Sequence, residues 1–138
     1  MNKAKNQNCI ALKFFDFNYS PHVLTEQLKL VPTKIALKGE VRKMKLLWKS
    51  NMWNYEERSV TNEFIGNQVE EFVLRILLPI SQDIKKVLDD CNGELSIAQY
   101  YYDGCNPGYH FSKKILAIIN ETGLEIDIDT YCLESTKK

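Results

Sequence analysis

Three carboxylates alternate near the end of the chain, at Glu125, Asp127 and Asp129. Residues two apart in a β-strand point to the same side, so this spacing predicts one row of negative charge on a sheet. Alternate strand residues lie about 6.6–6.8 Å apart, too far for neighbouring carboxylates to share one metal ion easily. The segment also lacks the glycine and the distal glutamate of a calcium-binding loop. We therefore interpret the row as a solvated strand face and predict no metal site.

Aromatic residues near the row favour a binding surface. Tyr100, Tyr101 and Tyr102 are consecutive, so alternate tyrosines face opposite sides of a sheet and some of them lie on its uncovered face. Exposed tyrosines near a loop are common anchors of protein–protein interfaces, although cross-strand packing accounts for them almost as well. We predict that Tyr101 and Tyr102 contact another protein together with the three carboxylates.

A second candidate site surrounds the glycine- and proline-containing loop 103–108. Tyr102 precedes this loop and His110 follows it, so both could line a cleft with Cys105. The imidazole is the one nearby group that could lower the pKa of the thiol. A cleft of this kind leaves open an alternative function, namely a small-molecule-binding protein or an enzyme.

A third candidate is the basic segment 29–49, whose central residues are Lys43, Lys45, Trp48 and Lys49. Lysines neutralise phosphates and tryptophans stack on bases, so this segment, with Trp53 after it, could bind nucleic acid. However, fifteen lysines and three arginines are poorly suited to bidentate recognition, and the signature of an RNA-recognition motif is absent. Nucleic-acid binding is therefore the less favoured alternative.

The two parts of the chain carry opposite charge. Residues 1–50 contain ten Lys or Arg and three Asp or Glu, a net charge of +7, whereas residues 51–138 contain eight and fifteen, a net charge of −7. The chain as a whole is neutral but contains two strong local fields. In one interpretation, the lysines of the basic segment lie across from the acidic row and pair with it. In the other, the two faces stay separate and one of them attracts an oppositely charged partner.

The sequence lacks the motifs of several enzyme classes. It contains neither a glycine-rich phosphate-binding loop nor a GxSxG turn. Its four cysteines form no CxxC pair, and with two histidines they give no zinc-ligand spacing. We therefore predict a protein that is not an enzyme and uses no cofactor. The chain begins without an apolar run of signal-peptide length, and its longest apolar run, 76–80, is far shorter than a membrane span. We expect a cytoplasmic protein.

Apolar periodicity predicts strands and helices in mixed order. The predicted elements are a strand at 10–17, a helix from Ser20-Pro21 to about 30, a hairpin at 41–58, a helix at 69–90 interrupted at Pro79, a strand at 95–102, a helix at 112–123 and a strand at 124–133. Asn92-Gly93 is typical of a helix C-cap. In the last strand, Leu124, Ile126 and Ile128 are predicted to point inward.

This order favours the α+β class, a two-layer sandwich in which a mostly antiparallel sheet carries helices on one face, as in ferredoxin-like or related folds. A chain of 138 residues is long enough for one hydrophobic core and too short for two comfortable domains. We therefore predict a single domain over 1–138, with an ordered core at about 9–133 and short loose ends.

Several short segments occur in a characteristic order. They are Ser20-Pro21 opening a helix, LVPTK at 30–34, KGE at 38–40, Trp48 in the predicted hairpin, and LEIDIDTY at 124–131. Together they resemble a bacterial family known only as domain of unknown function number four-two-seven-nine, over about 10–131. The family has no established activity, so the resemblance implies no catalytic residue. Similar small intracellular bacterial domains often act as immunity proteins that mask a toxin, so a toxin becomes a candidate partner.

Together, these observations predict a non-enzymatic intracellular protein-binding domain. Its expected role is that of an immunity-type or regulatory partner that masks a target through charged surfaces, with no membrane partner. The cleft and the basic segment remain the alternatives, and the oligomeric state stays open.

Overall fold

The computed structural model describes residues 5–61, 63–104 and 108–134. The strands in this part of the chain are β1 (Gln7–Phe17), β2 (Lys34–Ala36), β3 (Asn51–Val60), β4 (Asn92–Tyr102) and β5 (Glu125–Leu133). They form one sheet in the spatial order β2-β3-β1-β4-β5. All neighbouring strands are antiparallel except β4 and β5, which are parallel. The two edges of the sheet are therefore β2 and β5.

The helices in the described residues are α1 (His22–Leu28), α2 (Ile65–Phe72), α3 (Ser81–Val87) and α4 (Lys113–Thr122). α2 continues through a π-helical turn (Val73–Leu77) and a 3-10 turn (Leu78–Ile80) into α3. Proline lacks a backbone N–H and its ring clashes with the preceding turn, so Pro79 does not fit the interior of a regular α-helix. The irregular turns beside it keep the chain helical. The predicted interrupted helix is confirmed.

Both ends of α4 follow from single residues. The hydroxyl of Ser112 accepts a hydrogen bond from the backbone N–H of Ile115 at 3.2 Å, which satisfies one of the free donors of the first turn. Gly123 ends the helix with φ of 83°, a left-handed conformation that glycine adopts without strain. The predicted caps of this helix are confirmed.

The hydrophobic core lies between the helices and one side of the sheet. Trp53 of β3 is fully buried at its centre, where its ring packs 5.6 Å from that of Phe14, centroid to centroid. Its indole N–H donates to the hydroxyl of Thr25 on α1 at 3.0 Å, so the polar atom of this large side chain is satisfied. The other core residues of the strands are Ile10, Leu12, Phe17, Leu95 and Ile97.

The path from β1 to β4 has the β-α-β-β-α-β order of ferredoxin-like folds, with α2 and α3 together in the second helical position. α4 and β5 then add a fifth strand, parallel to β4, at the sheet edge. The protein is thus a two-layer α+β sandwich with a mostly antiparallel sheet and one covered face, as predicted.

The predicted hairpin at 41–58 is wrong in its first strand. The second strand is β3, but it pairs with β1 and β2. The preceding residues form a loop with one isolated bridge, between Val41 and Leu47, and a 3-10 turn (Lys43–Lys45). Met44 and Lys45 have φ of 62° and 63°, which is incompatible with an extended strand. Alternation of lysines with apolar residues therefore belongs here to an exposed loop.

Asn92-Gly93 also differs from expectation, because these residues begin β4 and do not cap the preceding helix. A Cβ atom on Gly93 would lie 2.8 Å from the ring of Phe14. The glycine therefore allows the strand to approach a core aromatic residue closely. Glycine occurs at this position because of that close approach and not because of a helix cap.

Candidate functional site

The acidic row lies on the face of the sheet that the helices leave uncovered. β5 pairs with β4 in a register that places Glu125 beside Glu94, and Asp127 and Asp129 follow at alternate positions on the same side. Lys13 of β1 lies on the other side of Glu94. The predicted row is therefore wider than the sequence indicated, because the register brings a fourth carboxylate, Glu94, to its end.

The row creates a negative field that few nearby cations offset. Burial raises the pKa of Glu94, and the negative charge of Asp127 raises it further, while the ammonium of Lys13 lowers it. The charge of Asp129 raises the pKa of the Tyr131 hydroxyl. Within the described parts of the chain, no salt bridge reaches any carboxylate of the row. The row is thus free to attract an external cation or a basic segment.

The consecutive tyrosines divide between the two sides of the sheet. Tyr100 and Tyr102 lie on the uncovered face, and Tyr100 stacks on Tyr131 of β5, with ring centroids 4.9 Å apart and an interplanar angle of 14°. Tyr101 lies on the helix side, where a hydrogen bond with Cys132 raises the pKa of its hydroxyl. The structure therefore brings Tyr102, but not Tyr101, to the face of the acidic row. The stacked pair was not predicted, since it depends on the β4–β5 register.

β5 is an exposed edge strand, and all nine of its residues are exposed. Ile126 and Ile128 lie opposite Leu95 and Ile97 on the helix side, yet they are 38% and 41% exposed. They point to the predicted side, but the edge position leaves them partly uncovered, whereas Leu124 is buried. An edge strand leaves the N–H and C=O groups along its outer side without a partner strand. β5 therefore presents backbone groups, apolar side chains and carboxylates together.

The basic segment lies at the opposite edge, on β2 and in the loop that follows it. Residues 34–49 contain six Lys or Arg and one Glu. Trp48 contacts two of these cations, with the guanidinium of Arg42 4.2 Å and the ammonium of Lys34 5.4 Å from its ring centroid. Beside it is a groove of about 650 Å³, which we call the basic groove; its lining residues are Lys34, Ile35, Ala36, Glu40, Val41, Arg42, Lys43, Met44, Leu46 and Trp48.

The two tryptophans of the predicted nucleic-acid-binding segment do not form a pair of exposed stacking surfaces. Trp53 is fully buried in the core and cannot contact a base. Trp48 is half-buried, and its ring already contacts Arg42 and Lys34. The lysines of the predicted patch, Lys43, Lys45 and Lys49, are exposed in the loop. The patch is therefore a cationic and aliphatic surface in which the ring of Trp48 lies against cations of the same segment.

Of the two interpretations of the opposite charges, internal pairing of the basic and acidic segments is wrong. Lys43 and Lys45 follow β2 at one edge of the sheet, whereas Asp127 and Asp129 lie on β5 at the other edge. β3, β1 and β4 separate the two segments. The two charged regions are separate surfaces, and each is open to solvent.

The predicted cleft lies only partly within the described residues, because Cys105 falls outside them. Tyr102 is on the uncovered face of the sheet, whereas the backbone carbonyl of His110 packs against Gly66 of α2, where a Cβ atom would lie 2.6 Å from it. The His110 side chain is exposed and lines a cavity of about 50 Å³ that Tyr102 does not reach. A cavity of this size is far smaller than typical ligand pockets.

A further polar feature was not predicted. Ser59, Asn8, Gln99 and Thr130 lie side by side across four strands on the helix side of the sheet. The Asn8 amide donates to Gln68 of α2 at 2.6 Å. Both amide atoms of Gln99, and the amide oxygen of Asn8, have no hydrogen-bond partner among the described residues. A polar row crosses the otherwise apolar interior at this end of the sandwich.

A groove of about 420 Å³ lies where α2 meets the end of β3, near this polar row. Its lining residues are Ile10, Glu57, Arg58, Ser59, Glu63, Asn67, Gln68 and Glu71. Arg75 pairs with both Glu57 and Glu71, so two of the lining carboxylates are already neutralised.

The chain was compared with models of known protein families. The model described as Domain of unknown function (DUF4279) matches residues 5–133. The chain belongs to this family. The match covers the sheet and all the helices of the DUF4279 domain described above. No curated protein and no solved structure matches it significantly. Among the described residues of the domain, no helix is long and apolar enough to cross a lipid bilayer.

Proposed function

We propose that this DUF4279 domain is a non-enzymatic binding protein that masks a basic segment of a partner protein along β5. The observation that supports the proposal is the exposure of the whole edge strand together with its carboxylate row. Salt-bridge partners for these carboxylates are absent from the described residues. Masking of this kind needs no catalytic group.

Strand addition is the mode of binding that this edge favours. An extended segment placed beside β5 would pair its backbone with the open outer side of the strand. Lysines or arginines at alternate positions would then lie next to Glu125, Asp127 and Asp129. Apolar residues on the other side of the segment would cover Ile126 and Ile128. Charge would steer the encounter, and main-chain hydrogen bonds would hold the complex.

In its biological setting we propose a cytoplasmic, immunity-type or regulatory role, with a bacterial toxin as a candidate target. An inhibitor that covers a basic substrate-binding or nucleic-acid-binding surface needs a negative, partly apolar face. The acidic row with Tyr102 and Tyr131 has this composition.

Affinity capture from the source cells tests the proposal. The bait is the full chain, compared with an Asp127→Lys/Asp129→Lys variant and with a Glu63→Lys/Glu70→Lys variant. The control pair changes charge equally at exposed positions away from β5. We expect a stoichiometric partner that is retained by the wild type and the control, is released by salt, and is lost with the acidic-row variant. A partner retained equally by all three baits would contradict the proposal.

Peptides derived from the captured partner then test the mode of binding. N-methylation at alternate amides blocks hydrogen bonding on one side of an extended peptide and spares the other. We expect methylation on one set of amides to abolish binding and methylation on the other set to preserve it. Equal effects of the two sets would exclude strand addition.

A further inference from the structure

The basic groove at the β2 edge has the composition of a protein-binding surface. Its walls include aliphatic side chains, and Met44, one of the lining residues, is 91% exposed. Cations surround these walls, and within the described residues none of Lys34, Arg42 and Lys43 forms a salt bridge. An apolar centre with a charged rim is the usual anatomy of a protein interface. The groove therefore fits an acidic segment with aliphatic or aromatic side chains.

The chain itself contains a segment of this chemistry. β5 combines three carboxylates with exposed apolar residues, which are Ile126, Ile128, Tyr131 and Leu133. It cannot reach the groove of its own molecule, because β3, β1 and β4 lie between the two edges. A second copy has no such restriction.

We propose that the basic groove of one copy binds the β5 edge of another, so that the protein associates head to tail. The proposal rests on the proposed function, since it uses the same acidic strand, and it names a second copy of the chain as a competing occupant. Each copy would carry one donor edge and one acceptor edge, so the contact is heterologous and extends to larger assemblies unless the geometry closes a ring.

The strand directions are compatible with this contact. β2 runs parallel to β1, and β5 runs antiparallel to it. Two copies in the same orientation therefore bring antiparallel edges together. The acidic row lies on the uncovered face, as do Lys34 and Ala36 of β2 by strand alternation. Opposite charges then meet on one continuous face of the combined sheet.

Electrostatics also favours self-association. The net charge of the chain is zero, so copies do not repel one another at long range, while the opposite fields at the two edges attract. Since salt screens exposed charges, the association should weaken as ionic strength rises. A basic target that binds β5 more tightly would separate the copies, and self-association would then protect the acidic edge until the target arrives.

A complementation experiment tests the proposal by sedimentation velocity with the full chain. One variant removes the acidic edge (Asp127→Lys/Asp129→Lys), and the other removes the basic edge (Lys43→Glu/Lys45→Glu). All four positions are exposed, so neither variant changes the core. We expect concentration-dependent assemblies of the wild type at low salt, and monomers of each variant alone. Because each variant retains one functional edge, and the two reversed edges carry opposite charge, a mixture of the two should associate again.

A Lys113→Glu/Lys114→Glu variant is the matched control, because it reverses two exposed charges at the start of α4. It should associate like the wild type, while each edge variant weakens association by at least about tenfold. Monomers of the wild type at low salt, or a mixture that stays monomeric, would overturn the proposal. Binding of anionic vesicles or single-stranded RNA by monomeric wild type, lost with Lys43→Glu/Lys45→Glu, would overturn it too and would identify a different occupant.

The failure of this proposal is distinguishable from failure of the proposed function. If the wild type stays monomeric but captures a partner that Asp127→Lys/Asp129→Lys loses, the acidic edge binds other proteins and self-association is refuted alone. If the copies associate as described but no partner depends on the acidic row, the proposed masking function is refuted instead.

Discussion

Replacing Gln99 with methionine should stabilise the protein. Gln99 is only 1% exposed, and neither its amide nitrogen nor its amide oxygen has a hydrogen-bond partner among the described residues. Methionine has nearly the same length and flexibility, and it carries no strong polar atoms. The substitution Gln99→Met therefore removes two unsatisfied groups from the interior with little change in packing.

The expected gain follows from the cost of leaving such groups buried. An unsatisfied buried donor or acceptor destabilises the folded state by about 1–3 kcal/mol. Two such atoms are removed together, but the methionine does not match the shape of the amide fully, and this imperfect packing offsets part of the gain. We therefore expect a net increase of about 1–3 kcal/mol in the free energy of unfolding. The unfolding entropy of a chain of this length is roughly 0.3 kcal/mol per degree, so the melting temperature should rise by about 3–10 °C.

Urea unfolding and differential scanning calorimetry measure this change. Asn8→Leu is the matched control, since Asn8 lies beside Gln99 but donates one hydrogen bond, to Gln68. In this variant the loss of the hydrogen bond to Gln68 should offset the removal of one unsatisfied oxygen. The free energy of unfolding should therefore change by less than about 1 kcal/mol. A fall in the melting temperature of Gln99→Met would refute the reasoning, because it would mean that the buried amide stabilises the fold.

Two further predictions concern titratable groups. The raised pKa of Glu94 means that the folded state binds its proton more tightly than the unfolded state. Its charged form therefore destabilises the fold at neutral pH, and Glu94→Gln should raise stability there. Urea titrations toward acid pH should show this gain fading, because Glu94 of the wild type then takes up its proton. A gain that stays constant with pH would contradict the assignment. Burial and a hydrogen bond with Glu56 raise the pKa of Cys9 to about 12. Iodoacetamide should therefore alkylate Cys9 far more slowly than the exposed Cys132 in the native protein. Peptide mass spectrometry measures the two labelling rates. Equal labelling rates of the two thiols without denaturant would show that Cys9 is accessible.

Local signals in the sequence were sufficient to predict the ends of α4 and the interruption of the preceding helix. Ser112 and Gly123 mark the two ends of α4 because a hydroxyl cap and a left-handed glycine act within one turn of the helix. Pro79 marks the interruption between α2 and α3 for an equally local reason. The mixed order of elements then predicted the two-layer architecture correctly.

Strand partners and burial could not be predicted in the same way, because they depend on residues distant in sequence. The alternation around Met44 is compatible with a strand, but no neighbouring strand pairs with this part of the described chain. The segment is a loop in which Met44 and Lys45 have positive φ values. Ile126 and Ile128 alternate like core residues, yet β5 is at the edge and the helices leave both exposed. Periodicity identifies the faces of a strand but not the elements that cover them.

The candidate site also combines features set by local spacing with features set by long-range strand pairing. The spacing of the carboxylates predicted the acidic row, because strand alternation alone places them on one side. Glu94 and Tyr131 were missed because their proximity to the row depends on the β4–β5 register. The separation of Tyr101 from Tyr102 follows from alternation too, but their sides depend on which face the helices cover. No signal in the sequence identified the polar row around Gln99.

The topology explains how a neutral chain presents two opposite fields. The basic segment follows β2 and the acidic row belongs to β5, and these are the two strands that the sheet order places at its edges. If β5 instead lay beside β2, the two segments would neutralise each other within one molecule. Three intervening strands hold them apart at about 4.8 Å per strand, beyond the distance over which exposed charges interact strongly at physiological salt. Solvent and counterions therefore screen the two charged edges from each other, and each edge stays accessible to another molecule, which is the premise of the proposed binding function.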